Sequence, residues 1–129
     1  MINNIFDFVG NTPIVPIKNN IDGLNIFAKL EFLNPTGSTK DRIVKYILDD
    51  AKAGGLINHN TTIVEGTSGN TGIAVAAYAA ANGLKSIIII SNKMSQDKVD
   101  TIRAFGAQVI VVPADVPADD PSSYYEVAR

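Results

Sequence analysis

Four consecutive isoleucines, Ile87 to Ile90, leave this chain few folds to choose from. β-Branched side chains favour the extended pleat, and a strand apolar on both sides must be covered on both sides. The run is far too short to cross a bilayer. It therefore predicts a central strand of a parallel sheet, buried on both faces.

The flanking sequence agrees. Upstream, a strand is expected from about Thr61 to Glu65, then a helix over roughly Thr71 to Asn82 with Gly83 as its stop. Downstream, Ser95 caps a helix carrying Val99, Ile102 and Phe105, closed by Gly106, and Gln108 to Val112 is a further strand. Earlier, Ile26 to Phe32 reads as the first strand of the series. Asp41 to about Ala53 reads as the first long helix, with Ile43, Val44, Ile47, Leu48 and Ala51 on one face and Gly54-Gly55 at its end. Asp120-Pro121 reads as an N-cap with proline at the first helical position, opening a helix over 122–129. Strand–helix alternation of this kind predicts an α/β fold, an open parallel sheet with right-handed crossovers and helices on both faces. The last helix has barely two turns and no stop signal, so the chain is expected to be a fragment.

Residues 1–23 are less regular. Gly10-Asn11-Thr12-Pro13 is a tight loop, Ile14-Val15-Pro16-Ile17 suits an edge strand because Pro16 lacks a donor, and Asn20 to Gly23 form another turn.

Composition removes whole function classes. With 11 Lys and Arg against 13 Asp and Glu, and no basic stripe, nucleic acid is not an expected partner. There are no cysteines, and His59, the only histidine, lies in a polar Asn-His-Asn loop. Thiolate or histidine metal sites and triads have nothing to build on, and Asp115, Asp119 and Asp120 are too loosely spaced for a metal. The segment Met1 to Asp7 lacks the basic and apolar regions of a signal peptide. A cytoplasmic protein with no membrane association is expected.

Two loops carry the chemistry. The first is Asn34-Pro35-Thr36-Gly37-Ser38-Thr39-Lys40-Asp41-Arg42. Ser38 or Thr39 can cap the following helix, which sets Lys40 in its first turn, where the helix dipole disfavours a cation. Lys40 is then either a surface lysine offset by Asp41, or an amine kept unprotonated by the dipole and by burial, able to attack a carbonyl. The second loop is Glu65-Gly66-Thr67-Ser68-Gly69-Asn70-Thr71-Gly72, between a strand and a helix. Its glycines let backbone N–H groups approach a ligand, and Thr67, Ser68, Asn70 and Thr71 add hydroxyl and amide groups. That is a site for a carboxylate or a phosphate, or else an ordinary glycine turn with a cap. Neither loop has the spacing of a P-loop or a dinucleotide fingerprint.

Together the loops resemble the β-substituting branch of the fold-type II pyridoxal-phosphate enzymes, with the tryptophan synthase β-subunit fold, the cysteine synthase and cystathionine β-synthase family. The match runs through Gly10 to Pro13, Lys29 to Arg42, Glu65 to Gly72, and Lys93-Met94-Ser95 through Gly106-Ala107. The run Lys93 to Val99 and the tail Asp120 to Tyr125 resemble the cystathionine β-synthase side more. The resemblance implies that Lys40 forms the internal aldimine with pyridoxal 5'-phosphate and later removes the α-proton. It implies that Asn70 contacts the cofactor's phenolic oxygen, and that Gly66, Thr67, Ser68, Gly69 and Thr71 hold the substrate carboxylate. The implied reaction is β-replacement on serine or an O-activated serine by a thiol, or cysteine synthesis from O-acetylserine and sulfide, in a homodimer.

The family's second glycine-rich loop, which grips the cofactor phosphate, has no counterpart here, since no glycine follows Gly106. The resemblance divides the chain into an arm, 1–34, that packs on a larger domain, and a small α/β domain, 35–129, cut in its last helix. A different class of reading is a non-catalytic α/β module that acts by dimerisation or anion binding.

Overall fold

The computed structural model describes residues 4–67 and 69–129. Among them, a parallel sheet of three strands forms the centre: β3 (Thr62–Thr67), β4 (Lys85–Ser91) and β5 (Gln108–Val112), in that order. Helix α2 (Asn70–Ala81) joins β3 to β4, and α3 (Gln96–Ala104) joins β4 to β5. Helix α1 (Lys40–Ala53) precedes β3, and the short α4 (Tyr124–Val127) follows β5.

The isoleucine run does what its chemistry demands. β4 lies between β3 and β5, with Ile88, Ile89 and Ile90 all buried. Ile88 and Ile90 face Ala74, Val75, Val99 and Ile102 in the core shared with α2 and α3. Ile89 pairs with Gly66 and points to the opposite face, which α4 covers. The expected helices on both faces are present.

The strand read over Ile26 to Phe32 behaves differently. β2 spans only Ile26–Lys29 and pairs antiparallel with β1 (Ile14–Ile17), in a sheet of its own. The predicted run of four strand–helix alternations is thus corrected to three parallel strands and a separate hairpin. Pro16 lies opposite Phe27 in a strand with one neighbour, so its missing N–H costs no ladder bond. After Lys29 the Leu30 N–H turns to the Pro13 carbonyl, and Glu31–Leu33 tightens into a 3-10 turn that ends the strand.

Helix α2 is buried nearly all round, which explains its run of alanines: α1, α3 and the sheet all crowd it. Its Tyr78 receives Phe6 edge-on, with ring centroids 5.1 Å apart. Tyr78 also donates its hydroxyl proton to Asp49 on α1 at 2.6 Å, so burial leaves no polar atom stranded.

Three local expectations need correction. The apolar face assigned to α1 is only half covered: Val44 is buried, but Ile43 and Ile47 are 52% and 56% exposed. Its stripe is wider than the α2 surface it meets. Phe105 lies just beyond α3 and is exposed, whereas Val99 and Ile102 are in the core. Asp120 does not cap the last helix. It accepts from the Ser122 N–H and hydroxyl in a turn, and Ser123 is the cap, accepting from the Glu126 N–H at 3.2 Å. Proline at position 121 therefore lies in that turn, before the helix.

Candidate functional site

Lys40 opens α1. The Ser38 hydroxyl, buried beside it, accepts the Lys40 N–H at 3.1 Å, while Thr39 holds the N-cap position without a side-chain capping bond. The Lys40 side chain itself is exposed, which agrees with the surface-lysine reading and not with the buried-amine one. At about 100° per residue, a helix that turns Asp41 fully inward must turn the preceding residue away.

Asp41, the counter-charge of the surface-lysine reading, is completely buried. It accepts the Thr36 N–H at 2.7 Å and the Thr36 hydroxyl, closing the loop before the lysine into a ring. Within that loop the Gly37 N–H reaches the Asn34 carbonyl at 2.8 Å, and Gly37 holds φ +81°, a conformation that favours glycine. A neighbouring carboxylate that satisfies the loop backbone is a signal too local in character for charge counting to detect.

The second loop starts at the end of β3. Thr67 is buried and its hydroxyl accepts the Gly69 N–H at 3.2 Å. Gly66 is pressed against α4, and Gly72 against Thr67 and Ile88. Asn70 opens α2 with an exposed side chain, and Thr71 is half-buried. Ser68 lies outside the described residues. Glu65, at the mouth of the loop, is half-buried, and desolvation pushes its carboxyl up from the ordinary value.

The two loops meet through their helices. Tyr78 bonds Asp49 across 29 residues of sequence, and Lys52 bonds Asn82 across 30. Offsets of 29 and 30, nearly equal, mean that α1 and α2 run parallel, with both N-termini at one end of the pair. The offset that relates Lys52 to Asn82 also relates Lys40 to Asn70. Thr71 and Ile43 line one groove of about 220 Å³ between α1 and β3. The N-termini of α1 and α2 thus lie toward the carboxyl end of β3, where ligands of open α/β sheets bind.

Among the described residues, no group of three or more His, Asp or Glu could hold a metal ion, and no helix is long and apolar enough to cross a membrane.

A parallel sheet whose helices open at the carboxyl ends of its strands defines an open α/β protein. The chain belongs to the pyridoxal-phosphate dependent enzyme family, which matches residues 5–129. It is 44% identical to cysteine synthase 1 of Emericella nidulans over 99% of this chain and 35% of that protein. It is 43% identical to cystathionine beta-synthase of Saccharomyces cerevisiae over 98% of this chain and 26% of that protein. The chain therefore spans about a third or less of the length of these relatives. Among solved structures, a hydrogen sulfide-producing enzyme from Fusobacterium nucleatum superposes with a TM-score of 0.82 at 43% identity, covering 89% of this chain and 38% of the other. O-ureido-L-serine synthase superposes with a TM-score of 0.87 at 37% identity, covering 92% and 38%. The fold-type II assignment made from the two loops stands.

Proposed function

We propose that this chain carries the amine and substrate-loop half of a pyridoxal-phosphate site for β-replacement, in which serine or an O-activated serine exchanges its β-substituent for a thiol, as in cystathionine β-synthase. The observation that carries this reading is the parallel pairing of α1 and α2, which brings the ends opened by Lys40 and Asn70 to one side of the sheet. The donor set fits the cofactor: a solvent-accessible primary amine for its aldehyde, and an amide for its phenolic oxygen. Pyridoxal phosphate supplies an electron sink that stabilises negative charge at an amino acid's α-carbon.

The chain's own residues supply the rest. Lys40 Nζ would hold the cofactor through its aldehyde and would serve as the base for the proton on the substrate's α-carbon. Gly66, Thr67, Ser68, Gly69 and Thr71 hold the substrate carboxylate, with N–H groups of the α2 N-terminus adding favourable charge.

Residues 1–34 form an arm whose hairpin packs on a further domain of the intact protein, a homodimer, while its Phe6 stays in the core of the small domain, 35–129. The arm's hairpin stands apart from the parallel sheet and leaves Ile14 63% and Phe27 58% exposed, surface that a neighbouring domain would cover.

A second reading, cysteine synthase with O-acetylserine and sulfide, is favoured by the identity to cysteine synthase 1. Product analysis separates the two: cystathionine from serine and homocysteine, or cysteine from O-acetylserine and sulfide. The site itself is tested by borohydride reduction of the cofactor-loaded full-length protein and peptide mapping. Label on Lys40, lost in Lys40→Ala, supports the assignment. Label scattered over other lysines, or a visible cofactor spectrum unchanged in Lys40→Ala, overturns it.

A further inference from the structure

Two residues beyond Lys40, Arg42 turns back across the chain. Its Nε donates to Glu31 Oε2 and its Nη2 to Glu31 Oε1, both at 2.8 Å, the fork-to-carboxylate geometry that only a guanidinium offers. Nη2 also donates to the Thr12 hydroxyl at 3.0 Å, and that hydroxyl donates to Glu31 Oε1 at 2.7 Å. Asn34 donates to Glu31 Oε2 at 2.9 Å and accepts the Gly10 N–H at 2.9 Å. Lys29 Nζ donates to the Thr12 carbonyl. Three separate stretches, 10–12, 29–34 and the first turn of α1, are thereby tied at one carboxylate. Gly10 is required at the knot: a Cβ there would lie 3.1 Å from Arg42 Nη1, and its φ is +92°.

The knot carries more bonds than a surface ion pair needs. Glu31 has a side chain only 18% exposed, and two of its bonds come from Arg42 in the helix turn that bears Lys40. We propose that Glu31 and Arg42, with Thr12, are positioning residues for Lys40: they fix the start of α1 against the hairpin arm and so hold the amine where the cofactor's aldehyde must meet it. This rests on the reading of Lys40 as the cofactor-bonding lysine. The pair touches no substrate, and it acts by restricting where Nζ can reach. A misplacement of about 1 Å can lower a rate about a hundredfold.

The test uses the full-length protein with Glu31→Gln and Arg42→Lys, which keep side-chain length and remove the ionic fork. The first measurement, hydrogen exchange of the cofactor-free protein over 34–42, needs no cofactor chemistry. Faster exchange in both variants, with the β4 core still protected, is expected. Unchanged exchange overturns the proposal whatever Lys40 proves to do. The second measurement is the split between kcat and KM together with the pH profile of the cofactor's visible absorbance. A kcat lowered about ten- to a hundredfold, with KM for the amino acid within about threefold and a displaced absorbance profile, is expected. A lower melting temperature with unchanged kcat and absorbance would mean a structural latch only, and would overturn the positioning role. If borohydride labels no Lys40 in the wild type, the functional reading fails, and the exchange result still decides whether the knot orders the turn.

Discussion

A Cβ on Gly72 would come within 2.5 Å of the Thr67 Cγ2 and 2.8 Å of the Ile88 Cγ2. The loop at the end of β3 thus folds back onto the first turn of α2 with no room between them. Thr67 is buried by that contact, which fixes its hydroxyl on the Gly69 N–H. An exposed helical glycine replaced by alanine usually stabilises, because the chain loses less backbone entropy. Here packing reverses the sign. Gly72→Ala should cost about 1–3 kcal/mol through overpacking, read as a lower urea midpoint. In the intact enzyme it should also raise KM for the amino acid, because Thr67 must move. An unchanged midpoint would refute the close packing.

Gly66 and Gly69 belong to the same loop yet should respond differently. A Cβ on Gly66 would meet the Tyr124 carbonyl oxygen at 2.7 Å and Ala128 Cβ at 3.2 Å, whereas nothing lies within 4 Å of one on Gly69. Gly66→Ala must therefore push α4 off the sheet, at a cost of about 1–3 kcal/mol. Gly69→Ala should stay within about 0.5 kcal/mol. Limited proteolysis around Tyr124 and Tyr125 will show the difference: accelerated cleavage in the first variant and wild-type resistance in the second.

Asp41 anchors the loop that precedes the lysine. Asp41→Ala leaves the Thr36 N–H without its acceptor in a buried setting, a loss of about 1–3 kcal/mol. Thr36→Val removes only the hydroxyl bond and keeps the N–H bond, so it should cost less. Denaturant midpoints of the two variants give the order; equal losses would mean that the backbone bond contributes nothing.

Glu31 makes folding stability depend on acid. Hydrogen bonds from Arg42, then from Thr12 and Asn34, hold its carboxyl down to about 2, against an ordinary value near 4.5. The unfolded chain therefore binds the proton first. The stability that Glu31 contributes is complete above about pH 4.5 and is lost as pH falls toward about 2. Glu31→Gln should flatten that part of the curve, bringing mutant and wild type together at the acid end. Urea midpoints from pH 6 down to pH 3 test it, and parallel curves would contradict it.

Much of this was open to reading residue by residue. Gln108 to Val112 and the isoleucine strand are recovered almost as expected, because a run of β-branched residues states its own conformation. The stops at Gly83 and Gly106 likewise need no partner to be understood. Lys40 could be placed in a first helical turn because Ser38 and Thr39, the residues just before it, favour a helix start, and the Ser38 hydroxyl does accept its N–H. The same local logic misassigned Ile26 to Phe32, since a short apolar run does not say which strand it will pair with.

The sequence by itself determined the alternation of strands and helices, the buried character of β4, and the family written in its two loops. Only the tertiary structure decided that β2 leaves the parallel sheet for a hairpin. It alone showed that Asp41 faces inward while Lys40 faces out, and that Glu31 draws Thr12, Asn34 and Arg42 to one carboxylate. The physical reason is range. Backbone propensity and helical periodicity act over a few residues, whereas a buried carboxylate finds its donors wherever the folded chain brings them.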